Sequence, residues 1–358
     1  GTTVLGAPVR SRGRHPKATG ASVGARSPVA AASYRGAVAA STERPPARPL
    51  IYAHRGSSHR YPELTRAAYV QAIADGADGV ECDVHLTRDG HLVLHHDAQL
   101  GRTSNGSGPV AQHTLAQLRE LDFTSWKGVE IPPSHGAAHE QLLTLDELLD
   151  LLLAAGRPMG LAVETKHPSP YGHGLEEALL VLLMRRGWNP ETGMLGTVTV
   201  SIMSFHPDAV RHVLDHVPPR HVCQLVSQST VESVRAGLGV GTATAAVCRA
   251  GMRLVMPPGV PLISRGEVEL AGPGIRFVRD NPRLVEQWLQ RGAVLRVWTV
   301  DTFADTHVCL ALGVQQITTN VPALVRRWST EHVDSAQNAS AHGRGVRERE
   351  LVPAAQRP

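Results

Sequence analysis

The chain has 358 residues, 42% hydrophobic and 19% charged, a globular composition that allows one large domain or two smaller ones. Aromatic residues make up only 4%, so the core must consist of Val, Leu, Ile and Ala, which suits buried parallel strands. The net charge of +4 is unevenly distributed, because residues 1–50 carry eight Arg or Lys residues and one acid, a net charge of +7. The rest of the chain therefore has a net charge of −3, which argues against a basic nucleic-acid-binding face on the folded part.

Two terminal segments are predicted to be tails. Residues 1–49 are rich in Gly, Ala, Ser, Pro and Arg without a sustained apolar period, which predicts a disordered basic tail, and residues 329–358 are predicted to form a disordered polar one. The basic tail lacks the apolar stretch of a secretory signal, and the four widely spaced cysteines suit a reduced cytoplasmic enzyme. The alternative is that the basic tail is an organelle transit peptide. No apolar run reaches the ~20 residues of a transmembrane segment.

Between the tails, short apolar runs alternate with helix-like segments. The predicted strands are Leu50–His54, Gly79–His85, Gly160–Lys166, Thr197–Ser204, His221–Val226, Met252–Met256, Val294–Val300 and Gln315–Thr319. The predicted helices are Leu64–Ala74, Leu145–Ala155, Leu175–Arg186, Pro207–Asp215, Val231–Leu238, Pro282–Arg291, Ala304–Leu312 and Pro322–Trp328. Eight alternating pairs predict a (β/α)₈ TIM barrel over residues 50–328, with an open doubly wound sheet as the alternative.

The alternation is interrupted after the second strand. Asp89-Gly90 lies between two strand-like runs, which predicts a tight hairpin. A polar, Gly- and Pro-containing excursion over residues 101–136 comes next. We expect this hairpin and loop to form an insertion over one end of the barrel.

Two carboxylates two residues apart mark the second strand. Glu81 and Asp83 point to the same face of the strand, where they repel each other unless something neutralises them. A divalent cation that prefers oxygen ligands, such as Mg²⁺ or Ca²⁺, would do so. A pair of surface acids is the alternative.

The next predicted strand repeats this spacing. Glu164 could complete the cation site, and Lys166 could meet a phosphate as a point charge. A salt bridge between these two side chains is an equally good interpretation of the pattern.

Further candidates follow other strand ends. His54-Arg55 pairs a proton carrier with a side chain suited to bidentate phosphate binding, and Asp97 follows His96, whose ring it could orient. A lone histidine at a strand end is more often structural. Glu63 fits capping of a helix and a functional role equally well. Trp298 could line a substrate pocket or cap the barrel.

Taken together, the order of these motifs resembles the glycerophosphodiester phosphodiesterase family. The resemblance covers about residues 50–328. It is carried by His54-Arg55-Gly56, Pro62-Glu63, Glu81-x-Asp83-Val84, Thr87-x-Asp89-Gly90, His96-Asp97, Leu100-x-Arg102-Thr103 and Glu164-x-Lys166, with later matches at Ser204-Phe205, Trp298-Thr299-Val300-Asp301 and Thr319-Asn320-x-Pro322. The chain departs from the family pattern at Leu64, where Asn is usual, and at His206 after the Ser-Phe pair.

The resemblance implies a TIM barrel with one divalent cation, Mg²⁺ or Ca²⁺, at its C-terminal mouth. It also implies a role for each site residue, in three groups: metal ligands Glu81, Asp83 and Glu164; general base and general acid His54 and His96; and phosphate-binding Arg55 and Lys166, with Glu63 helping to build the site.

The expected activity is metal-dependent hydrolysis of a small glycerophosphodiester to sn-glycerol 3-phosphate and an alcohol. A lysophospholipase D-type activity of the same family is one alternative, and a non-catalytic phosphoester-binding barrel is another. No nucleic-acid partner is expected. The sequence leaves open the head group, the nucleophile and the oligomeric state.

Overall fold

The computed structural model describes residues 48–228 and 257–333. Eight parallel strands close into a barrel in the order β1-β2-β4-β6-β7-β8-β9-β10, and β10 pairs with β1. The barrel strands are β1 Leu50–His54, β2 Gly79–Leu86, β4 Met159–Thr165, β6 Val198–Ser204, β7 Val222–Val226, β8 Leu270–Pro273, β9 Val294–Val297 and β10 Gln316–Thr319. The predicted TIM barrel is confirmed, and the open sheet is excluded by the pairing of β10 with β1.

The described helices, apart from Leu115–Arg119 in the insertion, cover the outside of the barrel. They are α1 Arg66–Ala74, α2 Leu115–Arg119, α3 Leu145–Leu153, α4 Gly174–Arg185, α5 Pro207–Leu214, α6 Val260–Arg265, α7 Ile275–Asp280, α8 Pro282–Gln290, α9 Phe303–Ala311 and α10, which spans residues 322–333. None of these described helices is both long and apolar enough to cross a membrane. Thr144 begins α3 with a capping box that includes Glu147, which satisfies free N–H groups at the helix start.

The strands carry two kinds of side chain because successive residues point to opposite faces. On β2, Val80, Cys82 and Val84 face outward into the apolar layer between barrel and helices. The two residues between them, Glu81 and Asp83, therefore face the bore. This alternation buries the strand from Gly79 to His85 while aiming its acids at the barrel interior.

The predicted insertion is also present. β3 (Leu92–Leu94) pairs antiparallel with β2 through a turn at Thr87–Gly90, where Gly90 has a φ of +83° that favours glycine. The following loop, with α2 and short 3₁₀ turns, has a hydrophobic cluster of its own. That cluster consists of Val93, Leu100, Val110, Leu118, Phe123 and Leu142. A further two-residue strand, β5 (Met194–Leu195), pairs with β6.

Several element predictions differ from the structure. The sixth barrel strand is Leu270–Pro273, which the sequence prediction missed because its short run ends in Gly-Pro, a pair typical of turns. The predicted strand Met252–Met256 and helix Val231–Leu238 lie outside the described residues, and the barrel closes without that strand.

The domain bounds also shift slightly at both ends. Arg48 forms a two-point contact with Asp78, at 2.6 and 2.9 Å, so the fold begins before residue 50. The last helix runs five residues past Trp328, and Ser329 is fully buried. The remainder of both predicted tails, residues 1–47 and 334–358, lies outside the described residues.

Candidate active site

The register of the barrel brings the predicted site residues to one end. His54 on β1 is the partner of Glu81 on β2, and Asp83 is the partner of Glu164 on β4. All of these residues lie toward the carboxyl ends of their strands, where TIM-barrel active sites form. Neighbouring strands thus place an imidazole and three carboxylates together.

Three buried carboxylates form the centre of the site. One oxygen each from Glu81, Asp83 and Glu164 lies within 4.8 Å of the other two, and the three are the one such group among the described residues. Both carboxylate oxygens of Asp83 are buried without a hydrogen bond. Oxygen donors at this spacing fit Mg²⁺ or Ca²⁺, which prefer carboxylate oxygens. The residues present therefore fit the cation that the sequence predicts.

Two cationic side chains lie against this cluster. Arg55 Nε is 3.0 Å from Asp83 Oδ2, and the Arg55 backbone N–H donates to Glu81 Oε2 at 3.0 Å. Lys166 Nζ donates to Glu164 Oε1 at 2.7 Å and lies 3.4 Å from Asp83 Oδ1. The predicted salt bridge between Glu164 and Lys166 is thus real, and it lies within the carboxylate cluster.

The crowded acids shift one another's proton affinity. Burial, followed by repulsion from Asp83, raises the pKa of Glu81 well above its ordinary value and that of Glu164 to about 7. Burial also opposes ionisation of Asp83, but the Lys166 and Arg55 charges outweigh it and lower the pKa of Asp83. A bound dication would relieve the repulsion that raises the first two pKa values.

His54 is oriented by residues at the barrel closure. Its Nδ1–H donates to Asn320 Oδ1 at 2.8 Å, because the Asn320 amide nitrogen itself donates to Asp301 Oδ2 at 2.6 Å. Nε2 is therefore the free ring nitrogen, 3.9 Å from Glu81 Oε2. Burial, followed by the Arg55 charge, lowers the pKa of His54 to about 4, so the ring is neutral at pH 7.

His96 is oriented by a chain of ion pairs on the insertion. Its Nδ1–H donates to Asp97 Oδ1 at 2.6 Å. Arg102 binds Asp97 at 2.5 Å and Glu63 at 2.7 Å, and Glu63 in turn accepts from Arg55 at 3.0 Å. Burial lowers the pKa of His96, against the pull of the neighbouring acids. The orienting role predicted for Asp97 agrees with this geometry.

Two non-glycine residues beside the site have a left-handed backbone. Arg55 has a φ of +57° and Leu64 a φ of +61°, and the Leu64 N–H donates to the Arg55 carbonyl at 3.0 Å. Asn adopts this conformation more readily than most residues, which gives a backbone reason for the family's preference at position 64. Leu64 instead buries its side chain in the core.

A cavity of about 230 Å³ opens between these groups. Trp298 lines it, in edge-to-face contact with Phe205, and its indole N–H donates to the Gly272 carbonyl at 2.8 Å. A larger groove of about 860 Å³ shares Glu164 and Lys166 with the cavity and extends outward over the start of α5. The site thus has an inner and an outer compartment that meet at the carboxylate cluster.

All nine predicted site residues come together here, since Glu63 contacts Arg55 and the other eight line the cavity or belong to the cluster. The roles of Asn320 and Asp301 were missed. The signal that could have found them is barrel closure, which sets the residue after β10 beside the end of β1.

The closed barrel, with its candidate site at the carboxyl ends of the strands, is typical of TIM-barrel enzymes. A sequence model of the glycerophosphoryl diester phosphodiesterase family matches residues 54–324. The chain belongs to this family. It is 38% identical, over 78% of its length and 92% of the relative's, to the probable glycerophosphodiester phosphodiesterase 1 of Mycobacterium tuberculosis.

Other similar proteins are also named as phosphodiesterases. The chain is 31% identical to the glycerophosphodiester phosphodiesterase of Bacillus subtilis, over 79% of its own length and 87% of the relative's. Among solved structures, a phosphodiesterase of Oleispira antarctica in complex with the product sn-glycerol-3-phosphate matches with a TM-score of 0.56 and 21% identity, covering 78% and 96% of the two chains. The enzyme of Thermotoga maritima matches with a TM-score of 0.54 and 17% identity, covering 78% and 97%. Both structural matches show the shared fold.

Proposed function

We propose that this protein hydrolyses glycerophosphodiesters to sn-glycerol 3-phosphate and an alcohol. The observation that carries the proposal is the buried cluster of Glu81, Asp83 and Glu164, flanked by two imidazoles in one cavity. The names of the relatives and the product bound to the Oleispira phosphodiesterase support the same substrate class.

The charges of the site suit a dication and a phosphodiester together. Three carboxylates face the two cations Arg55 and Lys166, which leaves one negative charge when all five are ionised. A dication changes that sum to +1, and a phosphodiester monoanion brings it to zero. A cation held by Glu81, Asp83 and Glu164 would polarise a non-bridging phosphate oxygen. Arg55 and Lys166 then supply the hydrogen-bond donors for the phosphate oxygens.

The two histidines differ in what they can do with a proton. Burial lowers the pKa of His54 and keeps its ring neutral with Nε2 free, so His54 is in the form that can accept a proton from the attacking oxygen. His96 donates its Nδ1–H to Asp97, whose carboxylate stabilises the protonated ring. Burial lowers the pKa of His96, but the Asp97 hydrogen bond opposes that shift, so we assign to His96 the proton that goes to the departing alcohol.

The outer groove favours a polar leaving group over an acyl chain. Ionisable side chains interrupt its apolar wall on several sides. They include Lys166, His167, His206, Asp208 and Arg211. An acyl chain would need a continuous apolar channel, so we place the lysophospholipase D-type activity second.

The test is a substrate panel measured with and without chelator. It comprises glycerophosphocholine, glycerophosphoethanolamine, glycerophosphoglycerol, glycerophosphoinositol and a lysophospholipid. We expect turnover of the short diesters, loss of turnover in chelator, and recovery on adding back Mg²⁺ or Ca²⁺. Turnover that chelator leaves unchanged would contradict the metal part of the proposal. Turnover of the lysophospholipid alone would favour the second activity.

A further inference from the structure

A fully buried arginine lies on the inner side of the cavity. Arg296, on β9 two residues before Trp298, is 2% exposed and lines the same cavity as His54 and Glu81. No carboxylate of residues 48–228 or 257–333 lies within ion-pair distance of it. A buried charge without a counter-charge is costly unless something in the protein or a ligand compensates it.

The protein satisfies only part of this guanidinium. Nε donates to Gln316 Oε1 at 2.7 Å, Nη1 donates to Ser201 Oγ at 3.0 Å, and the group lies 4.5 Å from the centre of the Tyr52 ring. Within the described part of the chain, no acceptor binds Nη2. The arginine is therefore held rigidly in place with donor capacity to spare.

A second polar group beside it also lacks a partner. Thr318, two residues after Gln316 on β10, is 2% exposed and lines the cavity. Its Oγ1 is buried without a hydrogen bond in the structure. Buried polar groups are nearly always hydrogen-bonded, so such an orphan inside a cavity points to a ligand atom.

The rest of the inner wall is apolar. Met203, Phe205, Leu225 and Trp298 supply the apolar part of the cavity lining. A volume of about 230 Å³ lies below the ~300–1,000 Å³ of pockets for drug-sized ligands, so the compartment suits a ligand of few atoms.

We propose that Arg296 and Thr318 bind the two free hydroxyl groups of the substrate's glycerol moiety. They thereby select glycerol phosphoesters over simple alkyl phosphoesters, and this inference rests on the function proposed above. With the phosphate held at the carboxylate cluster, a three-carbon chain directed inward brings polar oxygens to Arg296 Nη2 and Thr318 Oγ1, cavity-lining groups that have no hydrogen-bond partner among the described residues. The hydrocarbon part of glycerol lies against the apolar wall.

The experiment measures binding, so that it does not depend on turnover. Calorimetric dissociation constants are determined for sn-glycerol 3-phosphate and for n-propyl phosphate, which lacks both hydroxyls, in separate series with Mg²⁺ and Ca²⁺. The proteins are the wild type, Arg296→Met, Thr318→Val and the control Thr306→Val. Thr306 is an equally buried threonine on α9, outside the cavity.

We expect the wild type to prefer sn-glycerol 3-phosphate by about 10- to 100-fold, the range for a hydrogen bond to a charged group. In Arg296→Met the preference should fall to within about threefold of unity, and in Thr318→Val it should fall several-fold. Thr306→Val should keep the wild-type ratio. A wild type without preference, or variants that both keep it, would overturn the inference.

If circular dichroism shows that Arg296→Met is unfolded, the inference is tested by Thr318→Val alone, because this nearly isosteric variant should fold. The inference is then overturned if Thr318→Val keeps the wild-type preference for sn-glycerol 3-phosphate. The two proposals fail separately. A wild type that prefers the glycerol compound but hydrolyses no glycerophosphodiester contradicts only the proposed function. One that hydrolyses them, while both variants keep the wild-type ratio, contradicts only the roles of Arg296 and Thr318.

Discussion

The two histidines of the cavity are supported by different regions of the molecule. His54 is held by the barrel, through Asn320, whose backbone and side chain are both fixed by Asp301. His96 is held by the insertion, through Asp97 and the half-exposed Arg102. The His96 side chain is 31% exposed, whereas the His54 side chain is 16% exposed. In the proposed mechanism, the barrel thus supplies a fixed, desolvated base, and the insertion supplies a more solvated acid.

The largest effect should come from His54→Ala. Its loss removes the base, so turnover should fall by about 10²–10⁴ on every diester, whatever its leaving group. Steady-state kinetics on glycerophosphocholine and on a glycerol p-nitrophenyl phosphodiester check this. The control is His91→Ala, an exposed histidine on the hairpin, which should match the wild type. Activity of His54→Ala near the wild-type level would remove His54 from the mechanism.

His96→Ala should show a leaving-group dependence that His54→Ala lacks. An acid matters for an alkoxide leaving group and little for p-nitrophenolate, which departs without protonation. We expect a loss of about 10²–10⁴ on glycerophosphocholine and less than about tenfold on the p-nitrophenyl substrate, measured in the same assay. Equal losses on both substrates would contradict the assignment of His96 as the acid.

Asp301→Asn tests the barrel support of His54. The carboxylate accepts from the Asn320 backbone N–H, the Asn320 amide and Thr319 Oγ1, so its replacement frees the amide to turn. We expect about a tenfold drop in kcat with little change in KM, the effect of about one lost hydrogen bond. Asp305→Asn, which changes an acid at the start of α9, is the control. An unchanged kcat in Asp301→Asn would show that His54 is oriented without it.

Arg102→Ala should have the smallest effect. Ion pairs of half-exposed side chains are worth ~0–1 kcal/mol, so kcat/KM on glycerophosphocholine should fall less than about fivefold. In the wild type, added salt should reduce activity by a similar factor, because salt screens the ion pairs that Arg102 makes. Arg119→Ala, with 44% side-chain exposure against 46% for Arg102, is the matched control. A loss of a hundredfold would mean that the insertion supports catalysis as rigidly as the barrel does.

The sequence predicted the barrel and the direction of its acidic side chains, but it did not predict every strand. Acids two residues apart on an apolar strand predicted a shared face, because strand geometry is local, and Glu81 and Asp83 lie as expected. β8 was missed because a four-residue strand ending in Gly-Pro gives no periodic signal.

The hydrogen bond that orients His54 was not predicted, although the predicted barrel brings its two strands together. Asn320 is 266 positions from His54, and only closure of the barrel brings them within 2.8 Å. Arg296 was not singled out in the sequence either, although it lies two residues before Trp298 on a predicted strand. Its burial follows from the inward direction that it shares with Trp298.

We propose that Glu81, Asp83 and Glu164 share one divalent cation between the two histidines. Calorimetric titration of Mg²⁺ and of Ca²⁺ into metal-free wild type, Asp83→Asn and His91→Ala tests it most directly. We predict one cation bound per chain in the wild type and in His91→Ala, and loss of that binding in folded Asp83→Asn. Equal binding by Asp83→Asn and the wild type would contradict it.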